Sequence, residues 1–130
     1  MTHSILGRRA AKTPAIVVFS EGRAITEFLS SQRRVKEYAL VPVQLSSDML
    51  RLLKQRPIPL VICDDRAAGM RSFDLMSAIK QLSPQTHVVL VVPSGSPEQE
   101  QRAKAAGADT YLPSTFVLKR LHMLLEDVLS

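Results

Sequence analysis

The stretch PLVICDDRAAGM, residues 59–70, runs from an apolar segment straight into two adjacent carboxylates, Asp64 and Asp65. A bare carboxylate is costly to bury, so acids at the mouth of an apolar strand face solvent or have a partner. A third acid, Glu21, follows a second apolar run in AIVVFSEG, with Ser20 before it. Carboxylates gathered at neighbouring strand ends can ligate a hard divalent cation or act as oxygen nucleophiles. Asp65, one residue further out, is expected to be an exposed loop acid that caps nearby backbone. Other chemistry is thinly represented. His3, His87 and His122 are scattered, with no acid or second histidine at ligand spacing, and Cys63 lies inside an apolar run as a packing residue. SAIK at 77–80 matches a Ser-x-x-Lys motif, but it falls in a helical pattern of a chain too short for that acyl-enzyme fold. SEGRAI carries a single glycine, which argues against a nucleotide-phosphate loop.

Those acids depend on an alternation of elements. AIVVF (15–19) is a continuous β-branched run, and Ala24, Ile25, Phe28 and Leu29 follow it at helical spacing. YALVPVQL (38–45) is expected to be a second strand. Pro42 cannot donate to a ladder, which assigns that strand to a sheet edge. SSDMLRLLKQR follows as a helix with Ser46 or Ser47 as its cap and Met49, Leu50, Leu52 and Leu53 on its apolar face. PLVIC is the third strand, SFDLMSAIKQL (72–82) the third helix and THVVLVV (86–92) the fourth strand. The fourth helix, PEQEQRAKAAG, opens at Pro97 and closes at Gly107. A short TYL strand and a helix from about Phe116 to Leu129 complete the order. Five strands alternating with five helices predict an α/β, doubly wound parallel sheet in the order 2-1-3-4-5, a flavodoxin-like three-layer sandwich. Such sheets bind ligands at the carboxyl ends of strands one and three, where the winding reverses. Ser20, Glu21, Asp64 and Asp65 stand there.

Composition narrows the function classes. The 130 residues are 45% hydrophobic, with no apolar stretch long enough to span a membrane, and the single cysteine offers no disulfide framework. A cytoplasmic location is expected. Residues 1–13 read as a flexible basic leader and 14–130 as the domain. Three of the cations, Arg8, Arg9 and Lys12, lie in that leader, which holds no acid, so the net charge of +5 falls to +2 for the remainder. Apart from QRR at 32–34 the cations are dispersed among acids, which is not the footprint of a direct nucleic-acid binder.

Over residues 14–130 the sequence resembles the receiver domain of response regulators, the CheY-like family of two-component phosphorelay signalling. In that family a strand-three aspartate is phosphorylated and acids after strand one hold Mg²⁺. A Thr or Ser ends strand four, a Lys precedes a proline after strand five, and a strand-five aromatic acts as a switch. The resemblance places Asp64 at the phosphoacceptor, Ser20 and Glu21 at the acidic pair, and Tyr111 of AAGADTYL at the switch aromatic. It implies a weak Mg²⁺ site formed by Glu21, Asp64, a backbone carbonyl near Arg66 and waters. It also implies a sensor histidine kinase or phosphotransfer protein as donor, and an output domain or dimer partner on the face of helix four, strand five and helix five.

The departures from the pattern are specific. The Thr or Ser position falls on Val92 or, with a one-residue shift, on Pro93. The Lys position falls on Ser114, the following proline on Thr115, and one acid of the pair is Ser20. A phosphorylated carboxylate needs a cation and donors for its phosphoryl oxygens. The expectation is therefore a degenerate receiver, not an enzyme, that acts by protein contacts with phosphorylation at Asp64 impaired or absent; Arg66 or Ser94 could supply a donor in a remodelled site. The alternatives are a conventional phospho-accepting receiver, a metal-dependent phosphoryl-transfer enzyme on the same scaffold, and regulation by a small ligand in place of the phosphoryl group. The last helix carries Val117, Leu118, Leu121, Leu124, Leu125 and Val128 as one stripe. Phe116, Met123 and Leu129 widen it, a surplus expected to meet a partner. The chain stops within two residues of its last apolar position, as a fragment of a longer regulator would.

Overall fold

The computed structural model describes residues 13–20, 22–65 and 72–129. Five strands, β1 (Ala15–Phe19), β2 (Ala39–Val43), β3 (Leu60–Asp64), β4 (His87–Val92) and β5 (Thr110–Pro113), pair in parallel in the order β2-β1-β3-β4-β5. The connecting helices are α1 (Ala24–Ser30), α2 (Ser46–Gln55), α3 (Ser72–Leu82), α4 (Pro97–Ala106) and α5 (Val117–Val128). Short 3-10 turns at Arg33–Glu37 and Ser114–Phe116 precede β2 and α5. The sheet order and the edge position of the proline-bearing β2 agree with the expectation from sequence.

Strand alternation divides the core in two. Val17, Phe19, Val61, Cys63, Val88, Leu90 and Val92 point to the face covered by α2, α3 and α4, with Met49, Leu75, Met76, Ile79 and Ala103 against them. Ile16, Val18, Leu60, Ile62, Val89, Val91 and Leu112 point to the face covered by α1 and α5, with Ile25, Leu29, Leu121 and Leu125 against them. The β-branched runs are apolar throughout because both faces are covered.

Several local details depart from the sequence reading. Neither Ser46 nor Ser47 is the cap of α2: the boundary residue is Leu45, and no side chain hydrogen-bonds the free amides. Ala24 is exposed rather than part of the apolar face of α1. The strand PLVIC is shifted by one residue, so that Asp64 is the last residue of β3. Leu129 is buried in the α1/α5 core instead of widening an outer surface, whereas Met123 is 64% exposed. Ser96, by contrast, caps α4 through its hydroxyl, 3.2 Å from the Gln99 amide, with Pro97 in the first turn and Gly107 at the C-cap. Among the described residues no helix is long and apolar enough to cross a membrane.

Candidate functional site

Register decides which side chains meet at the carboxyl edge of the sheet. Ile16 and Val18 point to the α1/α5 face, so Ser20, two residues on, points there too; Leu60 and Ile62 do the same for Asp64. The two side chains converge, and the Ser20 hydroxyl donates to Asp64 Oδ2 at 3.3 Å while accepting from the Gly22 amide at 3.3 Å. Asp64 pairs with Val91 across the β3–β4 ladder, so Val91 shares its face. A cleft of about 500 Å³ opens here, lined by Ser20, Asp64, Ile25, Val91, Ser114 and Val117 among others. Ser114 lies on its far side, with its hydroxyl donating to the Pro93 carbonyl at 3.3 Å. The cleft walls Ile25, Val91 and Val117 were not singled out from sequence. Strand alternation from Asp64 would have found Val91, but only with the β3–β4 register known.

The remaining candidates sit apart. Val92 points to the opposite face, where it lines a cavity of about 150 Å³ with Asp65, Phe73, Gln99, Arg102 and Tyr111. Asp65 is exposed on the turn after β3. Its carboxylate accepts from the Ser72 hydroxyl at 2.5 Å, and its own amide donates to the Val91 carbonyl at 2.8 Å. The expected loop acid is thus tied to the start of α3 by a side-chain hydroxyl, not by backbone. The Tyr111 hydroxyl donates to Gln99 Oε1 at 3.2 Å, and its ring lies over Gly95, where a Cβ would stand 2.7 Å from ring atom Cε2. Only a residue without a side chain accepts the ring in that position. Glu21 and Arg66, expected metal ligands, lie outside the described residues.

What the edge can hold follows from its donor set. Among the described residues no group of three or more His, Cys, Asp or Glu side chains could hold a metal. Asp64 supplies one carboxylate and Ser20 one hydroxyl, so the described part of the site meets a hard cation with a single charged ligand. Cys63, one residue before Asp64, is buried, and burial together with the nearby Asp64 and Asp65 charges pushes its thiol up to about 12. It is an inert core residue at neutral pH, as its place in the apolar run indicated.

A sheet in this order with a carboxylate at the β3 terminus is the geometry that the sequence resemblance implied, and comparison with known proteins agrees. Residues 9–126 match the response regulator receiver domain family. The chain belongs to that family. Among solved structures it is similar to a response regulator from Thermotoga maritima, at 20% identity over 90% of this chain and 98% of that one, with a TM-score of 0.75. It is similar also to HP1043, an orphan response regulator of H. pylori, at 19% identity over 91% and 98%, with a TM-score of 0.74. A third likeness is to a response regulator protein from Burkholderia pseudomallei, whose structure holds a phosphorylated aspartic acid, a calcium ion and citrate. There the identity is 16% over 90% and 66%, with a TM-score of 0.70. Nothing among curated proteins matches the chain in sequence. Receiver domains are in general signalling domains that bind a divalent ion at their phosphorylation site and interact with kinases or phosphotransfer proteins and with output domains.

Proposed function

We propose that this receiver domain controls an output through protein contacts, with phosphorylation at Asp64 impaired or absent. The observation that carries the reading is the lining of the cleft: around Asp64 stand Ser20, Val91, Ser114 and Val117, with no cation among the lining residues. A phosphoryl group on Asp64 would bring negative charge into a site walled partly by valine and isoleucine, with hydroxyls as its described side-chain donors. Removing one preorganised donor from such a transition state costs on the order of 10²–10³ in rate. Val92, at the position where the family places a strand-four hydroxyl, has none and points to the other face of the sheet. Mg²⁺ in this reading is a weak ligand of Glu21, Asp64, a carbonyl near Arg66 and waters. The domain is cytoplasmic and catalyses no reaction of its own. Its donor, where one acts, is a sensor histidine kinase or phosphotransfer protein, and its outlet is the face formed by α4, β5 and α5.

A conventional phospho-accepting receiver is the second reading, favoured by one observation: Asp64 sits at the end of β3 with two hydroxyls, Ser20 and Ser114, lining the same cleft. Titration with Mg²⁺ and beryllofluoride separates the two, with Asp64→Asn as control and amide shifts near Asp64 and Tyr111 as the readout. The expected result is no saturable response. Saturable shifts that vanish in Asp64→Asn would establish the second reading instead.

A further inference from the structure

Helix α5 buries Leu121 and Leu125 on the sheet and turns a different strip outward. Lys119, Met123 and Asp127 follow one another at intervals of four, so they lie along one side of the helix. Met123 is the most exposed large apolar residue among those described. The strip borders a groove of about 650 Å³ between α5 and the edge strand β5, whose lining includes Thr110, Leu112 and Leu124. The other flank of α5 is already engaged. Glu126 pairs with Arg34 at 2.7 Å, and His122 Nδ1 lies 3.0 Å from Gln32 Oε1, which ties that side to the turn between α1 and β2. On the groove side, among the described residues, Lys119 and Arg120 make no ion pair.

The charges on this strip are symmetric about its apolar centre. Lys119 stands four residues before Met123 and Asp127 four residues after, about 6 Å along the axis on each side. Rotation by a half turn about Met123 exchanges the cationic and anionic ends. Such self-complementarity is what a two-fold interface demands, since each contact must occur twice with the partners exchanged. Resting on the proposal that the β5–α5 face is the outlet of the domain, we infer that a second copy of this chain occupies it, α5 packing antiparallel to α5 with Met123 on the axis. Lys119 then meets Asp127 of the second copy, twice, and each Met123 lies over the apolar floor of the opposing groove. Asp127 has an interaction within its own chain. A carboxylate accepts several hydrogen bonds, so the intermolecular contact adds to that one. An acidic partner of another kind would satisfy Lys119 and Arg120 but set its own charge against Asp127, which is why the second copy fits better.

Sedimentation equilibrium of the full chain from micromolar to millimolar concentration tests the pairing. The parent is expected to dimerise, less so as salt is raised. Lys119→Asp and Asp127→Lys each turn two attractions into repulsions and are expected to weaken association about tenfold. Mixed in equal amounts, the two variants are expected to associate with each other at the parental strength, because both pairs are restored in reversed sense. That recovery also shows that both variants are folded. Met123→Cys, in a chain whose natural cysteine is buried, is expected to cross-link to itself under mild oxidation. A parent that stays monomeric to millimolar concentration overturns the inference, as does a dimer indifferent to the reversals or a mixture that fails to recover. The beryllofluoride response at Asp64 is scored separately, so a monomer that still behaves as a degenerate receiver removes the dimer alone.

Discussion

At the scale of single residues, the most consequential titratable group in the described structure lies at the opposite end of the sheet from Asp64. His87 opens β4 half-buried, with Nε2 2.7 Å from the Thr110 hydroxyl on β5. Burial holds its pKa below the usual histidine range, and Lys80 on α3 acts in the same direction, while Asp109, just before β5, acts against both. Lys80 and Asp109 are themselves paired at 2.6 Å, and Asp109 also accepts from the Val88 amide at 2.8 Å. Folding therefore favours the neutral imidazole. Below a pH of about 6.5 the unfolded chain binds a proton that the folded chain resists, so stability falls with pH through that window and levels off beneath the folded pKa. His87→Gln keeps a hydrogen-bonding group but not the titration. Its melting temperature is expected to fall less than the parent's between about pH 7.5 and pH 5, and thermal melts across that range check it. Identical slopes in the two proteins would remove His87 as the cause. Sequence reading set His87 aside because it looked for ligand spacing. The residue's character comes from Thr110 and Asp109, more than twenty positions away, which only the β4–β5 pairing brings near.

At the scale of elements, α4 shows how much of a boundary a sequence can carry. Ser96 offers its hydroxyl to the Gln99 amide, Pro97 occupies a first-turn position that needs no donor, and Gly107 closes the helix at φ +129°. An alanine at 107 would be strained by that φ, and its Cβ would meet Lys80 Cγ at 3.0 Å and the Met76 carbonyl oxygen at 3.1 Å on α3. Gly107→Ala is thus expected to cost about 1–2 kcal/mol, and Ser96→Ala about 1 kcal/mol. Urea denaturation of the two variants and their combination checks both, with near-additive losses expected from opposite ends of one helix. The same reasoning failed at α2, where Ser46 and Ser47 were candidate caps. Serine at a boundary offers a hydroxyl, but whether it caps depends on which residue stays extended, and here that residue is Leu45. The candidate site divides along a similar line. Asp64 and Ser20 were legible as residues at strand ends. The pairing of Asp64 with Val91, and the opposite orientation of Val92, depend on register, which is a property of two strands and not of one.

At the scale of the whole molecule, the two apolar layers share one sheet, and that sharing sets how the domain comes apart. Each central strand gives alternate residues to the two layers: β3 sends Val61 and Cys63 to the α2/α3/α4 side, and Leu60 and Ile62 to the α1/α5 side. Neither layer can loosen without exposing strand residues that the other side still holds in register. Across the sheet edge, Lys80 of α3 is bound to Asp109 beside β5, and the Thr86 hydroxyl, fully buried, donates to the Ile58 carbonyl at 2.6 Å, joining the strand beginnings. Met76→Ala on α3 and Leu121→Ala on α5 each empty a fully buried site, on opposite sides. Each is expected to cost about 2–5 kcal/mol. Because the layers are coupled through the strands, amide signals from α3 and α5 are expected to vanish at a single denaturant midpoint in either variant. Separate midpoints, with α5 melting before α3 in Leu121→Ala, would mean that the α1/α5 layer is an independent unit. A change of state at the β5–α5 face could then stay local to that layer. With one midpoint, whatever binds α5 is felt through Leu112, Val91 and the strand ends as far as Asp64, which lines the same cleft as Val91 and Val117.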